Sequence, residues 1–517
     1  MPANLEITRR WRWGLCVAGL VALALSVHAL SFTIWFDDET ARFFVLDRPR
    51  LAHWPQALWS NWVDLTEHDG EEWQEIRLAS QTWRPLMTAS FLADRWLWGR
   101  WAPGYHAQNV LIHLLSVLLF ASLLREVWGR NDLAFTAAGL FAVHPLTTQP
   151  MWILGDRAEA YCFAFVLSAL WLAVRARRGI ARRGAWLGVM GLLAAALACK
   201  EMAITFPGTL LLTDLFAWRS SWRAWRRSLL QWTNVARAAG IAAILLGYLG
   251  YRAFLFGGMG GYSSHSHLST RYLVSVMEQN MRWLWLWDLP GPDWLGKTLL
   301  VVTLSLLLIP GRHPAVRWGL IWLFLTLTPV HNLLQKWYLY APLAGWSAAV
   351  AAAITPLRPR RWAAWRQAAL WCLIAAAATA SVSELDRRRI YAQIGPAVAE
   401  TLKKWRPELP EGAIVTLLLP GEVKMDDLTG HFFRPSQFKV QSDPSPVDGI
   451  VWDLNQTRLL DGQPVFSKLV QSAVRLAYDR PDTLVRLAEA SDDLRTDAAH
   501  RHFVFQYNRQ KMRLRPR

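Results

Sequence analysis

The chain has 517 residues, of which 53% are hydrophobic and 18% are charged, and its formal net charge is +17. With 32 tryptophans and a mean hydropathy of +0.14, this composition predicts a polytopic membrane protein that carries some soluble mass. The basic residues lie in short runs between apolar segments, which argues against a nucleic-acid-binding surface. The four cysteines lie in apolar segments without CxxC spacing, so neither a disulfide framework nor a zinc site is indicated.

Apolar segments of about 20 residues, the length that crosses roughly 30 Å of hydrocarbon, recur along the chain. They predict about eleven membrane-spanning helices in a domain of residues 1–382, followed by a soluble domain of residues 383–517. The first apolar segment is too long for a signal peptide, so we expect it to remain as an anchor. The predicted spans are 13–35, 107–124, 133–152, 158–174, 185–199, 202–218, 236–256, 294–309, 318–330, 338–354 and 362–381.

Arginine-rich runs occur at every second connection between these predicted spans. The positive-inside rule therefore predicts that the N-terminus and all these runs are cytoplasmic, and that the C-terminal domain is extracytoplasmic. The longest predicted outer loop is 36–106, and its tryptophans predict short helices at the membrane surface. The basic runs lie at 9–12, 125–130, 175–183, 219–227, 312–317 and 358–366.

The long outer loop begins with three carboxylates, Asp37, Asp38 and Glu39, where the first predicted span ends. Such a group at the end of a span indicates a functional site, because charge is costly near hydrocarbon. Asp37 or Asp38 is our candidate for a general base that takes a proton from an acceptor hydroxyl. The alternative is that the three acids only end the helix at the water interface.

Four cations lie at the predicted outer ends of spans. An arginine guanidinium matches the geometry of phosphate, and a lysine supplies a point charge, so the group predicts a site for a lipid-linked phosphate. The alternative is that Arg157 and Lys200 only pair with their sequence neighbours Asp156 and Glu201, or extend to lipid headgroups. The four cations are Arg84, Arg157, Lys200 and Lys336.

Three histidines raise the question of a metal site. His106 and His113 lie seven residues apart on one face of a predicted helix, and His144 lies in the next span. Imidazole and carboxylate ligands suit zinc or manganese, so a divalent cation is one hypothesis. The spacing matches no compact motif such as HExxH, and histidines that bond across helix interfaces are commoner. We therefore predict no metal site and no cofactor, with a divalent cation as the alternative.

Residues 383–517 predict a small α/β domain. Strands are expected at 414–419 and 503–507 from β-branched and aromatic content, and helices at 390–405 and 465–478 from apolar periodicity. No period of about 34 residues occurs in 384–517, which excludes a tetratricopeptide array there. Recognition of an acceptor is the function we would expect for this domain.

A series of short motifs follows the predicted spans in order. They are Trp35-Phe36-Asp37-Asp38, Trp83-Arg84-Pro85-Leu86, Tyr105-His106 with Asn109 and His113, Phe141-Ala142-Val143-His144-Pro145, Gly155-Asp156-Arg157-Ala158, Lys200-Glu201 and Tyr338-Leu339-Tyr340-Ala341-Pro342. The set resembles the membrane half of the transmembrane and tetratricopeptide-repeat O-mannosyltransferases. More broadly, it resembles the GT-C superfamily of polyprenyl-phosphate-sugar glycosyltransferases. The resemblance covers residues 13–342.

The resemblance implies an inverting transferase whose donor is a hexose, with mannose suggested, on a polyprenyl phosphate. Asp37 or Asp38 would be the base, and Arg84, Arg157, Lys200 and Lys336 would lie around the donor phosphate. The acceptor stays open between a protein and a glycan in the periplasm. Residues implied in sugar or acceptor binding, or in support of those contacts, are Glu39, His106, His144, Asp156, Glu201, Tyr338 and Tyr340.

We therefore predict an α-helical polytopic glycosyltransferase of the GT-C type in a bacterial inner membrane, with membrane lipids as partners and no nucleic acid. A transporter or flippase of lipid-linked sugars is the first alternative, but it would need charged residues through both halves of the membrane. A scaffold for envelope assembly is the second alternative, and it predicts that the three carboxylates tolerate substitution.

Overall fold

The structure is a computed structural model, and it is helical through most of its length. Four strands follow near the C-terminus. The structure describes residues 3–36, 59, 82–181, 184–217, 222–258, 270–287, 292, 294–308, 313–330, 335–355, 363–392, 394–405, 407–409, 414–419, 473–479, 484–489, 502–508 and 513–516.

Sixteen α-helices are labelled in chain order within this described part. They are α1 (Ala3–His28), α2 (Pro85–Trp98), α3 (Ala102–Trp128), α4 (Asn131–Val143), α5 (Gln149–Trp152), α6 (Arg157–Arg177), α7 (Ala185–Cys199), α8 (Phe206–Ala217), α9 (Trp222–Leu229), α10 (Trp232–Phe256), α11 (Thr270–Leu286), α12 (Trp294–Leu308), α13 (Pro314–Leu327), α14 (Tyr340–Ile354), α15 (Ala363–Ala392) and α16 (Ile394–Trp405). Short 3-10 helices extend several of them, at Ala29–Thr33, Pro145–Thr148, Leu154–Asp156, Glu201–Thr205, Thr328–Val330 and Lys336–Leu339.

Proline and glycine set several helix boundaries. Pro85 and Pro314 open α2 and α13, where a missing N–H costs nothing because the first turn has no intrahelical acceptor for it. Gly99 and Gly129 follow α2 and α3 with φ of +60° and +66°, a left-handed backbone that glycine adopts without strain. The loop between α2 and α3 is therefore short, and it holds Arg100.

Six helices of the described part are long and apolar enough to cross a membrane: Trp13–Thr33, Ala102–Trp128, Leu154–Arg177, Trp232–Phe256, Lys336–Ile354 and Trp365–Asp386. Four shorter apolar helices accompany them, at Asn131–Val143, Ala185–Cys199, Trp294–Leu307 and Pro314–Val330. By length and composition the chain is an integral membrane protein. The count of about eleven spans and the orientation of the termini stay predictions.

The helices differ from the predicted spans in two places. The predicted span 133–152 is interrupted, because α4 ends at Val143 and a 3-10 turn follows at Pro145–Thr148. Pro145 has no N–H and disfavours helical backbone at His144, whose ring nitrogen accepts the Leu146 N–H instead. Helix α11 lies in what we predicted to be an outer loop, and its buried charged residues explain why hydropathy alone did not indicate it.

The core packs most closely between α13 and α14. A Cβ at Gly319 would lie 2.4 Å from the Gly345 carbonyl oxygen, and a Cβ at Gly345 would lie 2.4 Å from the Gly319 carbonyl oxygen. Such close approach between helix backbones requires small residues on both sides. The Tyr340 ring packs edge to face on Phe141 and Phe163 nearby, and the two phenylalanine rings are tilted against each other, at centroid distances of 5.2 to 5.7 Å. This packing fixes the first turn of α14 against α4 and α6.

The strands form one four-stranded sheet in the order β2-β1-β3-β4. They are β1 (Ile414–Leu419), β2 (Leu484–Glu489), β3 (His502–Asn508) and β4 (Arg513–Pro516). Strand β1 is parallel to β2 and β3, with Ile414 opposite Leu484 and His502, and β4 is antiparallel to β3. The predicted strands at 414–419 and 503–507 correspond to β1 and β3, while an independent α/β domain outside the membrane stays a prediction.

Candidate active site

The acidic stretch that we predicted to hold the base lies outside the described residues. Asp37, Asp38 and Glu39 follow Phe36, the last described residue of the first segment. Phe36 is fully buried, and its ring meets the ring of Tyr105 on α3 edge to face at 5.0 Å. The point at which the chain enters the acidic stretch is therefore fixed by packing against α3.

Arg84 is held at the start of α2 by a carboxylate from a distant part of the chain. It is the residue before the helix, and its Nη2 donates to Glu201 Oε1 at 2.9 Å. The side chains are 11% and 25% exposed, so the pair is accessible from one side. The neighbouring Trp83 packs its ring against Tyr248 and Tyr251 of α10. The start of α2 is thus attached both to Glu201 and to α10.

Glu201 is shared between two arginines. Its second oxygen, Oε2, lies 3.9 Å from Nη1 of Arg252, which also donates to the Tyr248 hydroxyl at 3.1 Å. Burial by itself would raise the pKa of the Glu201 carboxyl, but the neighbouring cations, led by Arg84, lower it to about 2. The neighbouring cations therefore favour the ionised form of Glu201.

Lys200 pairs with a carboxylate that we did not predict. Its Nζ lies 2.5 Å from Oε1 of Glu159 in the first turn of α6, and both side chains are almost completely buried. The same ammonium lies 4.6 Å from the centre of the Tyr338 ring, close enough for a cation–π contact. The partner considered for Lys200 on sequence grounds was Glu201, whereas the observed partner is Glu159.

These contacts define a charge cluster in which three cations face two carboxylates. Its residues come from the ends of α2, α6, α7 and α10, so four helix ends meet at this point. The charge cluster consists of Arg84, Glu159, Lys200, Glu201 and Arg252.

Arg157 belongs to a separate network. Its Nη1 donates to Asp94 Oδ2 at 2.6 Å and to Gln108 Oε1 at 3.0 Å, and its Nη2 donates to the Tyr105 carbonyl at 3.2 Å. The guanidinium stacks on the Phe91 ring at 4.0 Å. The side chains of Arg157 and Asp94 are 0% and 1% exposed. A phosphate could reach Arg157 only by displacing partners that it already has.

The burial of this network changes the pKa of Asp94. Burial raises the pKa of its carboxyl to about 6, although the positive charge of Arg157 acts in the opposite direction. Asp94 on α2 is thus the observed ionic partner of Arg157, and it was not among the partners considered on sequence grounds. Because Arg157 and Glu159 are two residues apart on α6, their side chains point in directions about 200° apart. The Arg157 network and the charge cluster therefore lie on opposite faces of one helix.

The predicted site residues at the start of α14 and in the 3-10 helix before it are divided between two environments. Lys336 lies over the Trp283 ring at 5.6 Å, and Tyr338 contacts Lys200 as described above. Tyr340 is fully buried, and its hydroxyl lies 2.6 Å from His113 Nδ1. Since His113 Nε2 lies 3.1 Å from the Ala142 carbonyl and must donate to it, Nδ1 accepts the proton of Tyr340. Tyr338 therefore contacts the charge cluster, and Tyr340 contacts the core.

The other histidines are also bonded to backbone groups. His106 Nδ1 lies 2.7 Å from the Met151 carbonyl, and His144 Nε2 lies 3.1 Å from the Leu284 carbonyl. Within the described residues, no group of three or more His, Cys, Asp or Glu side chains is arranged to hold a metal ion. The contacts of His106, His113 and His144 are those of histidines that connect packed helices.

Glu159 and Arg252 are the two cluster residues that sequence reasoning missed. Each lies inside a predicted span, and an ionisable residue inside a span indicates a functional site by default. That signal was available for both, but Glu159 was overlooked beside Arg157, and Arg252 was overlooked near the end of the span 236–256. Asp94 lies in the long predicted loop, where nothing in the sequence distinguishes it from the other acids.

Comparison with proteins of known function identifies relatives for part of the chain. Human protein O-mannosyl-transferase TMTC2 is 28% identical over 205 residues, which are 39% of this chain and 24% of that protein. Human TMTC4, also a protein O-mannosyl-transferase, is 30% identical over 220 residues, or 38% and 28% of the two chains. Drosophila melanogaster Tmtc2 is 36% identical over 130 residues, or 24% and 14%. The chain thus spans between 14% and 28% of the length of these curated relatives.

Solved structures give weaker similarity over a longer range. ArnT from Cupriavidus metallidurans, crystallised with undecaprenyl phosphate, superposes with a TM-score of 0.45 at 15% identity, over 81% of this chain and 84% of that one. The mycobacterial arabinofuranosyltransferase AftD gives a TM-score of 0.38 at 14% identity, over 80% and 30%. No protein-family model matches the sequence. The relatives confirm the resemblance predicted from the motifs: over part of its length, the chain is similar to the O-mannosyltransferases.

Proposed function

We propose that this protein is a membrane-integrated glycosyltransferase of the GT-C type. It transfers a hexose, for which we propose mannose, from a polyprenyl phosphate to an acceptor hydroxyl with inversion at the anomeric carbon. The reaction takes place on the extracytoplasmic side of the membrane. The named activity of the relatives supports the class of reaction, and the acceptor that we propose is a protein or glycan hydroxyl.

The charge cluster is the observation that carries this proposal. Arg84, Lys200 and Arg252 converge at helix ends, and the Arg84–Glu201 pair is partly exposed. A lipid phosphate is an anion that arrives from the membrane, so it meets a site of this kind without crossing bulk water. Arginine offers a planar pair of donors to phosphate oxygens, and lysine adds a point charge.

In the proposed reaction, the acceptor oxygen attacks the anomeric carbon while the bond from that carbon to the phosphate oxygen breaks. A carboxylate of the acidic stretch, Asp38 in preference to Asp37, takes the proton of the acceptor hydroxyl. The phosphate leaves with the bonding electron pair. The cations of the cluster stabilise the charge that develops on it, which is the usual source of the largest rate enhancement in such sites. Because phosphate is a good leaving group, no general acid is needed.

The remaining predicted residues keep proposed roles. Lys336 extends the donor-phosphate site, and Arg157 supports it from the opposite face of α6 or binds the phosphate as first predicted. Glu201 orients Arg84 and Arg252 through its two oxygens. We propose sugar or acceptor contacts, or support of such contacts, for Glu39, His106, His144, Asp156, Tyr338 and Tyr340.

The decisive experiment compares Asp37→Asn and Asp38→Asn in purified protein supplied with a polyprenyl-phosphate-linked mannose and a hydroxyl acceptor. A general base contributes about 10²- to 10⁴-fold in rate, so the variant of the true base should lose turnover by that factor while it still binds the donor. Asn keeps the size of Asp and its capping ability, so a role limited to ending the helix would survive the change. Asp132→Asn is the matched control, because Asp132 is half-exposed and pairs with Arg130 away from the cluster.

Two results would contradict the proposal. Full activity in both Asp variants would remove the acidic stretch from the mechanism and leave Asp64, Glu67, Asp69 and Asp156 as candidates for the base. If the wild-type protein binds the donor but transfers no sugar, the flippase or scaffold alternatives would be favoured. Transport of the lipid-linked sugar across proteoliposomes would then separate those two.

A further inference from the structure

A second group of charged and aromatic side chains lies at the far ends of helices that form the charge cluster. Within each of three helices, a residue of this group is about 14 to 18 positions away from a residue of the cluster, which is about 21 to 27 Å along the helix axis. The hydrocarbon core of a bilayer is roughly 30 Å thick, so the second group lies near the opposite membrane surface. The pairs are Glu159 and Arg177 on α6, Lys200 and Trp186 at the two ends of α7, and Arg252 and Arg237 on α10.

Two arginines of this group share one tryptophan ring. Arg237 Cζ lies 4.6 Å from the centre of the Trp186 ring, and Arg177 Cζ lies 5.5 Å from it. Both distances are within the range of cation–π contacts. Arg177 also pairs with Asp214 on α8, with 2.6 Å between Nη2 and Oδ2, and the two side chains are 10% and 3% exposed. Asp214 therefore holds one guanidinium in place beside the ring.

The second arginine, Arg237, is held by an amide. Its Nη1 donates to Asn234 Oδ1 at 2.7 Å, and Asn234 Nδ2 donates to the Ser228 carbonyl at the end of α9, also at 2.7 Å. Asn234 is buried, and these two bonds fix its orientation. Within the part of the chain that the structure describes, Arg237 forms no ion pair. Its guanidinium is therefore oriented by an uncharged group and can pair with an anionic ligand.

The surface around the start of α10 is apolar. Leu230 and Trp232 are 79% and 80% exposed, and Val235 is 41% exposed. On a membrane-spanning helix such side chains face lipid, and tryptophan is common at the level of the headgroups. Arg237 is only partly buried among them. A ligand of Arg237 therefore comes from the lipid phase, which favours a headgroup over a free anion.

Helix α9 adds a basic face at the same place. Arg223, Arg226 and Arg227 are exposed, and their spacing of three and four residues places them on one side of the helix. The bond from Asn234 to the Ser228 carbonyl attaches the last turn of α9 to α10. A basic amphipathic helix lies at the level of the headgroups and attracts anionic lipids. Arg237 is thus positioned close to that level.

We propose that Arg177, Trp186 and Arg237 form a binding site for the headgroup of an anionic phospholipid, at the membrane surface opposite the charge cluster. The two guanidinium groups bind the phosphate oxygens, and the Trp186 ring keeps both groups side by side. A headgroup without an ammonium is favoured, because an ammonium would lie beside two arginines. Basic pockets between membrane helices bind anionic headgroups in this way. The inference does not depend on the proposed function, since this site and the charge cluster have no residue in common.

The test measures lipid binding to the full-length protein in detergent. Dioleoyl phosphatidylglycerol and dioleoyl phosphatidylcholine are titrated separately, and bound lipid is counted by native mass spectrometry. Arg237→Gln should weaken phosphatidylglycerol binding by about 10- to 100-fold, the factor that corresponds to one charge-assisted hydrogen bond. Arg237→Lys should keep part of the affinity, because the charge remains and the planar pair of donors is lost. Equal binding of the two lipids by the wild-type protein would overturn the inference.

Arg178→Gln is the matched control. Arg178 follows Arg177 at the same end of α6, but it pairs with Glu126 at 2.9 Å, and Glu126 keeps Arg175 as a partner when Arg178 is replaced. This substitution removes one positive charge from the same membrane surface and leaves the site intact, so phosphatidylglycerol binding should change far less than in Arg237→Gln. An equal loss in the two variants would overturn the inference, because binding would then follow the overall positive charge.

A second readout separates binding from folding. Phosphatidylglycerol should raise the melting temperature of the wild-type protein but not that of Arg237→Gln, because a ligand that binds only the folded state stabilises it. A lower melting temperature of Arg237→Gln in phosphatidylcholine, with the same increase on addition of phosphatidylglycerol, would show a structural role and overturn the inference.

Competition identifies the source of the bound phosphate. Neither inorganic phosphate nor a polyprenyl phosphate should displace phosphatidylglycerol at equal concentration, and displacement by either would contradict a phospholipid site. Arg84→Gln should leave phosphatidylglycerol binding unchanged, since Arg84 belongs to the charge cluster. A failure of the donor site and a failure of this lipid site would therefore appear in different variants.

Discussion

Two buried ionic groups lie on opposite faces of α6, and they differ in charge balance and in exposure. In the Arg157 network, one cation faces one carboxylate, and both side chains are shielded from solvent. In the charge cluster, three cations share two carboxylates, and Glu201 is 25% exposed. The same helix thus carries a closed ion pair on one face and, on the other, a cluster in which the Arg84–Glu201 pair is partly exposed.

From this difference we infer that the Arg157 network holds helices together, whereas the charge cluster can bind a ligand. A buried ion pair with complete geometry adds little net stability but is costly to break, because removal of one partner leaves a buried charge. Arginine and lysine donors beside a partly exposed pair suit an anionic ligand such as phosphate. We therefore expect the Arg157 network to affect the stability of the fold and the charge cluster to affect binding of the donor phosphate.

Breaking the Arg157 network should have the largest effect on stability. In Arg157→Gln, the Asp94 carboxylate loses its ionic partner in a buried site, and removal of one partner of a buried pair costs about 3 to 5 kcal/mol. The change should appear in the free energy of unfolding of the purified protein. Arg130→Gln is the control, because Arg130 forms a more exposed pair with Asp132, worth about 0 to 1 kcal/mol. A loss of unfolding free energy below 1 kcal/mol in Arg157→Gln would contradict the stabilising role of the Arg157 network. Weaker donor binding by folded Arg157→Gln would support the predicted role of Arg157 in phosphate binding.

Removing a cation from the charge cluster should weaken donor binding without comparable loss of stability. Arg84→Gln and Arg252→Gln should each cost about 1.5 to 3 kcal/mol in the binding free energy of a polyprenyl phosphate, the range for a charge-assisted hydrogen bond. Arg84→Lys should restore only part of the affinity, because lysine lacks the planar pair of donors. Calorimetric titration with the lipid phosphate measures this change, with Arg130→Gln as the control. Unchanged affinity in both glutamine variants would remove the phosphate from the cluster.

The sequence predicted the helices better than their ends. The span at 185–199 corresponds to α7, since uninterrupted apolar residues define such a helix. The break after Val143 was missed, although Pro145 signals it, because the apolar content continues across the proline. Helix α11 was missed because Glu278 and Arg282 lower its hydropathy, while the surrounding helices bury both side chains.

For the site, the sequence indicated cations but not their partners. Lys200 and Glu201 are neighbours in the chain, yet the change from α7 to a 3-10 helix sends their side chains toward Glu159 and Arg84, respectively. Partners more than 100 positions apart, such as Arg84 and Glu201, depend on tertiary packing that no local pattern encodes. Asp94 illustrates the same limit, since its pairing with Arg157 requires α2 to pack beside α6.

The smallest predicted effect is a pH dependence of stability. The contributions of Asp94 and Glu201 to the free energy of unfolding change with pH in opposite directions. The pKa of Asp94 rises from 3.8 to about 6 on folding, so between these values the folded state binds more protons than the unfolded state. The contribution of Asp94 to stability should therefore increase as the pH falls, by about 1 kcal/mol from pH 7 to pH 5. The pKa of Glu201 falls from 4.5 to about 2, so its contribution is complete above 4.5 and is lost only as the pH drops toward 2. The change in unfolding free energy between pH 7 and pH 5 should thus differ by about 1 kcal/mol between the wild-type protein and Asp94→Asn, whereas Glu201→Gln should match the wild-type protein. A match of Asp94→Asn with the wild-type protein, together with a difference in Glu201→Gln, would reverse the assignment of the two carboxylates.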